Sequence, residues 1–110
     1  MWNELQNTLE LLDLTIQESL HYGLKMSAAQ AKYYSLKDSR VRELMNEGKS
    51  ATAVELIIKG EPKVNDALQE FLDSKVEYDN SREAINALKL RIRVLESAIE
   101  REWEQAKRGL

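Results

Sequence analysis

The 110 residues contain no cysteine, so there is no disulfide framework, no zinc–thiolate site and no thiol nucleophile. Proline occurs once and glycine four times, too few breakers to punctuate a chain of short strands and tight turns. There is a single histidine, and no serine lies where sequence alone would set it beside that histidine and an orienting acid, so nucleophilic catalysis has no constellation to use. No apolar run approaches the roughly 18 residues needed to span a bilayer. Neither sign of charge dominates: 16 lysines and arginines against 19 acids leave a net charge of −3, which gives no general drive toward polyanions.

What remains is 43% hydrophobic and 32% charged, a composition that favours long helices over sheet and amounts to one domain. The opening MWNELQNTLELLD is acidic and has neither the basic start nor the apolar core of a secretory leader. A soluble protein of the cytoplasm is the expectation.

Apolar positions Leu5, Leu9, Leu12, Ile16, Leu20, Leu24, Ala28, Ala31, Tyr34, Val41 and Met45 recur every three or four residues and predict one helix over 3–47. Gly23 inside it costs about 1 kcal/mol relative to alanine unless a close contact requires it. Gly48 suits the left-handed position that ends a helix. A second pattern starts at Pro62, well placed in a first helical turn, and runs through Val64, Leu68, Phe71 or Leu72, Tyr78, Ile85, Leu88, Ile92, Leu95, Ile99, Trp103 and Ala106, predicting a helix over 62–108. Between them a short apolar helix is expected over 53–58, with Thr52 and Glu55 at capping-box spacing and Gly60 closing it. The fold class is therefore all-α: an antiparallel hairpin of two long helices joined by a short one, assembling into a bundle.

A bend centred near residue 54 opposes positions whose numbers add to about 106 to 108, setting Asp13 against Arg93, Glu18 against Lys89 and Trp2 beside Trp103. Charge agrees with that pairing, because residues 1–20 carry four acids and no base while 82–93 carry four bases and one acid. A further apolar row, Ala87, Leu90, Val94 and Ala98, lies roughly 135° around the second helix from its main row. The first helix likewise carries Leu11 and Leu14 almost opposite its own stripe. One partner helix cannot cover two sides, so Trp2, Leu11, Leu14, Leu90, Val94 and Trp103 are expected to form a homo-oligomer interface, most simply a dimeric four-helix bundle.

Three stretches invite a chemical reading. Gly48-Lys49-Ser50 ends like a phosphate-binding loop, but the motif needs a glycine where Glu43 stands, and the preceding segment is helical rather than strand. Glu18 and His21 have the Glu-x-x-His spacing of di-iron bundles, where a symmetric dimer with Glu83 or Glu96 would have to complete the set. No metal or other cofactor is expected from so incomplete a pattern. Lys32, Tyr33, Tyr34 and Lys37, with Lys75, Tyr78 and Arg82 brought opposite by the pairing above, could stack on a nucleotide or on single-stranded DNA. The plainer alternative packs Tyr34 and Tyr78 in the seam. A basic run, Lys89 to Arg93, could meet phosphate were it not opposite the acidic first helix. In the connecting segment, Val54, Leu56, Ile57 and Ile58 are too apolar for a mere bend. They are expected to roof Val41, Met45, Val64 and Leu68, and those left over are candidates for contact with a protein partner.

The combination LLDLTIQESLHYG, NEGKSATAVELIIKG and EAINALKLRIRVLESAIEREW resembles small helical early-region proteins of phages and prophages of Gram-positive bacteria. The likeness covers most of the chain, which departs from that group's usual Pro-Val-Thr after the turn glycine with Ser50, Ala51 and Thr52. It implies a context rather than a reaction: a non-enzymatic protein that binds and disables or modulates a host protein complex, including in counter-defence. The alternative is an oligomer that binds a small nucleotide or single-stranded DNA.

Overall fold

The computed structural model describes residues 1–109 as three helices: α1, Trp2–Asn46; α2, Ala51–Lys59; and α3, Pro62–Arg108. The long helices α1 and α3 pack as a hairpin, with α2 between them in the chain. None is long and apolar enough to cross a membrane. The residues divide into two compact units. Unit 1 is Met1–His21 with Asp79–Leu110, and unit 2 is Tyr22–Tyr78.

The helix ends follow from local chemistry. Gly48, at φ 83°, adopts the left-handed conformation that an L side chain resists. Its N–H donates to the Met45 carbonyl at 3.0 Å while that of Lys49 donates to the Leu44 carbonyl at 3.2 Å, the paired bonds of a Schellman end. The cap of α2 differs from the Thr52–Glu55 expectation. Ser50 holds extended backbone and its hydroxyl accepts from the Ala53 N–H at 3.3 Å, so α2 begins two residues earlier, at Ala51. At its other end the Gly60 N–H donates to Ile57 and the Asn65 side chain donates to the Lys59 carbonyl at 2.9 Å. Pro62 opens α3 as expected.

The buried seam differs from the expected one in a specific way. On α3, positions 64, 67, 71, 74, 78, 81, 85, 88, 92, 95 and 99 are all buried or half-buried, an unbroken alternation of threes and fours. On α1 the same alternation runs 5, 8, 12, 15, 19, 22, 26, 29, 33, 36 and 40. Both follow the 3.5-residue repeat of a coiled coil. The leucine-rich row read at helical spacing shares only Leu5 and Leu12 with that line. Leu9, Ile16, Leu20, Leu24, Tyr34 and Met45 are exposed, whereas Thr8, Ser19, Ala29 and Leu44 are buried.

The register is corrected as well. Bonded pairs across the hairpin, Ser19–Ser81, Lys25–Glu77, Lys32–Glu70 and Arg40–Glu61, have numbers adding to 100 to 102. That is about six residues short of the symmetric pairing, because α2 packs as a third helix with side chains of its own to seat. Small residues on α1 permit the fit. A Cβ on Gly23 would lie 3.1 Å from Cε1 of Tyr78, so glycine here makes room for the ring. The register likewise sets Ala29 against Phe71.

Each unit has its own core. In unit 2, Leu44, only 1% exposed, packs with Val54, Ile58 and Val64, flanked by Tyr33, Val41 and Ile57. In unit 1, Leu5, Ile92 and Leu95 pack with Leu12 and Ile99. The polar residues in the seam are satisfied locally. The Thr8, Thr15 and Ser74 hydroxyls donate to carbonyls one turn back at 2.6 to 2.8 Å. The Ser81 hydroxyl donates to that of Ser19 at 3.0 Å. Among the described residues no buried side-chain polar atom lacks a partner.

Candidate functional site

The three chemical readings meet the structure differently. Gly48, Lys49 and Ser50 are a helix end followed by a helix cap, with their backbone and hydroxyl groups committed to those roles. Around Glu18 and His21, as elsewhere among the described residues, no three His, Asp or Glu side chains converge as a metal site would need.

The tyrosine–lysine group is not one cluster. Tyr33 is half-buried, its ring 5.2 Å from Tyr34 and stacked 6.4 Å from Phe71, with the Lys37 ammonium 5.8 Å from its centroid. Lys32 is spent on Glu70 at 3.2 Å. Tyr78 sits at Gly23, ten residues from Tyr33 along α1 and hence about 15 Å away. The register explains this: the six-residue shift moves Lys75 and Tyr78 away from Tyr33 and Tyr34, and Arg82 belongs to unit 1. Tyr34, expected in the seam, is exposed and Tyr33 takes the seam position.

Unit 2 also holds a cleft of about 550 Å³, floored by Val41, Val54, Ile58, Val64 and Leu68 and edged by Tyr33, Lys37 and Lys59. This is where α2 leaves its neighbours incompletely covered. Of the four apolar side chains proposed as a partner surface, Val54 and Ile58 are core, Ile57 is half-buried against that core, and Leu56 alone stands 66% exposed. The roof is real, but its central contact is Leu44 and not Met45, which is exposed. Beside it Arg40 donates to Glu61 at 2.8 Å and to Glu43 at 2.9 Å. Donating to Glu43, and secondly to Glu61, raises the guanidinium pKa above its ordinary value.

The groove described in unit 1 is smaller, about 360 Å³, and many of that unit's apolar side chains lie on its outside. Of the sixteen large hydrophobic side chains exposed among the described residues, ten belong to unit 1. They include all six assigned to an oligomer interface: Trp2, Leu11, Leu14, Leu90, Val94 and Trp103. Trp2 and Trp103 do not meet. With numbers adding to 100, α1 begins opposite residue 98 or 99, and α3 from 101 onward is exposed throughout.

Leu9, Ile16 and Leu20 join the exposed set although their spacing had placed them in the seam. The usable signal was the rigid 3.5-residue repeat of α3, which a partner helix has to match. Seven-residue steps relate Trp2, Leu9 and Ile16, so they share one side of α1, while Leu11 and Leu14 share another. The expected ion pairs are missing too. Among the described residues Glu4, Glu10, Asp13, Glu18, Arg82, Lys89, Arg91 and Arg93 form none, and the Lys25–Glu77 and Lys32–Glu70 bridges between α1 and α3 lie in unit 2.

No protein-family profile, no curated protein and no solved structure matches this chain.

Proposed function

We propose that the protein acts by binding another protein rather than by catalysis, using the apolar sides that unit 1 leaves uncovered. The observation that carries this reading is the choice of seam. α1 buries Thr8 and Ser19, half-buries Thr15, and leaves Leu9, Ile16 and Leu20 exposed at 38%, 40% and 62%. Fully burying an exposed large aliphatic side chain is worth about 1.5 to 3 kcal/mol, so covering what these three leave exposed represents roughly 2 to 4 kcal/mol. Domain stabilities are themselves about 5 to 15 kcal/mol. A surface of that value belongs to an interface, since contiguous apolar patches on monomers are small.

The row Trp2, Leu9, Ile16 and Leu20 is the proposed contact surface for a protein partner. The resemblance to small phage proteins supports looking for that partner among protein complexes of a bacterial host, in the cytoplasm, with inhibition or modulation of the complex as the outcome. Affinity capture from host lysate, with mass spectrometry and a Leu9→Glu, Ile16→Glu variant as comparison, tests it. The expected result is a host protein retained by the parent chain and lost from the variant. Equal retention by both, or retention of nothing, overturns the reading.

A further inference from the structure

Unit 1 carries two apolar sides, and the second has a different composition from the first. Leu11 and Leu14 of α1 lie on it, together with the α3 row Ala87, Leu90 and Val94. A groove of about 360 Å³ between the helices joins the two contributions; Glu4, Asn7 and Leu11 line it from α1, and Leu88 and Arg91 from α3. Both helices therefore supply apolar side chains to one face, the arrangement by which two hairpins stack into a four-helix bundle. The row Trp2, Leu9 and Ile16 belongs to α1 alone.

Charge points to what covers this face. On the side of α1 that carries Leu11 and Leu14 stand Glu4, Glu10 and Glu18, and Arg91 is the base beside Leu90 and Val94 on α3, whereas the 100° per residue of a helix turns Asp13, Arg82, Lys89 and Arg93 to the other side. Glu4, Glu10, Glu18 and Arg91 are exposed, and among the described residues none of them is ion-paired, even though Glu4 and Arg91 line the same groove. An occupant that answers both helices presents a base to the acids of α1 and an acid to Arg91 of α3, with apolar side chains between them. Unit 1 of a second copy offers that surface when α1 of one copy lies beside α3 of the other. A two-fold axis running along the helices produces this contact twice, as an isologous dimer requires. A two-fold axis across the helices would instead set acid against acid and base against base.

We infer that the Leu11, Leu14, Leu90 and Val94 face binds a second copy of this chain, α1 against the partner's α3. The inference rests on the preceding reading that the uncovered sides of unit 1 are binding surfaces, and it assigns an occupant to one of them. Trp103, which stands beyond the start of α1, is not needed by it.

Light scattering on the purified full chain, mixed as two differently tagged copies, provides the test. A mass twice that of the chain is expected, with exchange between tags. Leu14→Glu with Val94→Glu should return a single-chain mass while helicity by circular dichroism is kept, and Val76→Glu, equally exposed but in unit 2, should leave the dimer intact. The dimer should weaken toward about 1 M salt, where the screening length falls to about 3 Å. Should the double variant unfold, Arg91→Glu alone must still raise the dimer dissociation constant at least tenfold. A single-chain mass for the parent protein, a dimer untouched by Leu14→Glu with Val94→Glu, or a dimer insensitive to both Arg91→Glu and salt overturns the inference. A dimer that captures no host protein leaves the inference standing and removes the proposed function, and a monomer that captures one does the reverse.

Discussion

Unit 2 closes a core with three helices; unit 1 must make do with two. In unit 2, α2 brings Val54 and Ile58 onto Leu44 and Val64, and Leu44 is covered to within 1%. Unit 1 has no third helix, and its two-helix seam is studded with Thr8, Ser19 and Ser81. Charge follows the same division. Unit 2 pairs Lys25 with Glu77 and Lys32 with Glu70 at 3.2 to 3.3 Å, whereas among the described residues no ion pair joins Glu4, Glu10, Asp13 or Glu18 of unit 1 to Arg82, Lys89, Arg91 or Arg93. The difference teaches that a continuous pair of helices can be self-sufficient over one stretch and incomplete over another. Two helices have one shared seam, and only a third element can cover any further apolar side.

The comparison is broken most directly at Leu44. Leu44→Ala should cost about 3 to 5 kcal/mol by urea unfolding, near the top of the usual range, because three helices cannot all move in to fill the hole. Leu95→Ala in unit 1 should cost about 2 to 3 kcal/mol, since a two-helix seam collapses more readily. Equal losses would mean that the two cores are equally constrained. Ser50→Ala should cost about 1 kcal/mol by removing the cap of α2, and that loss should disappear in a variant whose α2 is already undocked by Ile58→Asp.

Gly23→Ala sets about 1 kcal/mol of helix propensity against crowding of the Tyr78 ring. Thermal melts should show a small loss of stability in the parent and a gain of about 1 kcal/mol when Tyr78 is first changed to alanine. The smallest effect belongs to the polar seam of unit 1. Ser19→Ala with Ser81→Ala removes donor and acceptor together and should stay within about 0.5 kcal/mol of the parent. A larger loss would show that the hydroxyl pair, and not the neighbouring buried Ile85, holds that part of unit 1.

Much of this was legible in the chain. The helix ends come from Gly48, Gly60 and Pro62, whose backbone preferences are local, and they place the three helices to within a residue or two. The surplus of apolar residues was countable, and the six assigned to an interface are indeed exposed. Less legible was which apolar row each helix buries. Leu9, Ile16 and Leu20 satisfy helical spacing as well as Thr8, Thr15 and Ser19 satisfy the 3.5-residue repeat, and hydrophobicity favours the former. The tyrosine–lysine group dissolved for the same reason, because its members were joined only by a register that was six residues out.

Local preference, read from glycine, proline and the lack of strand formers, is thus enough to dictate three helices and their order. The seam and the register are properties of a pair of surfaces. They are decided by where α3's unbroken repeat finds small partners on α1, at Gly23 beneath Tyr78 and at Ser19 beside Ser81, and by the room that α2 takes. No single helix carries that information, since steric fit between two helices depends on both at once.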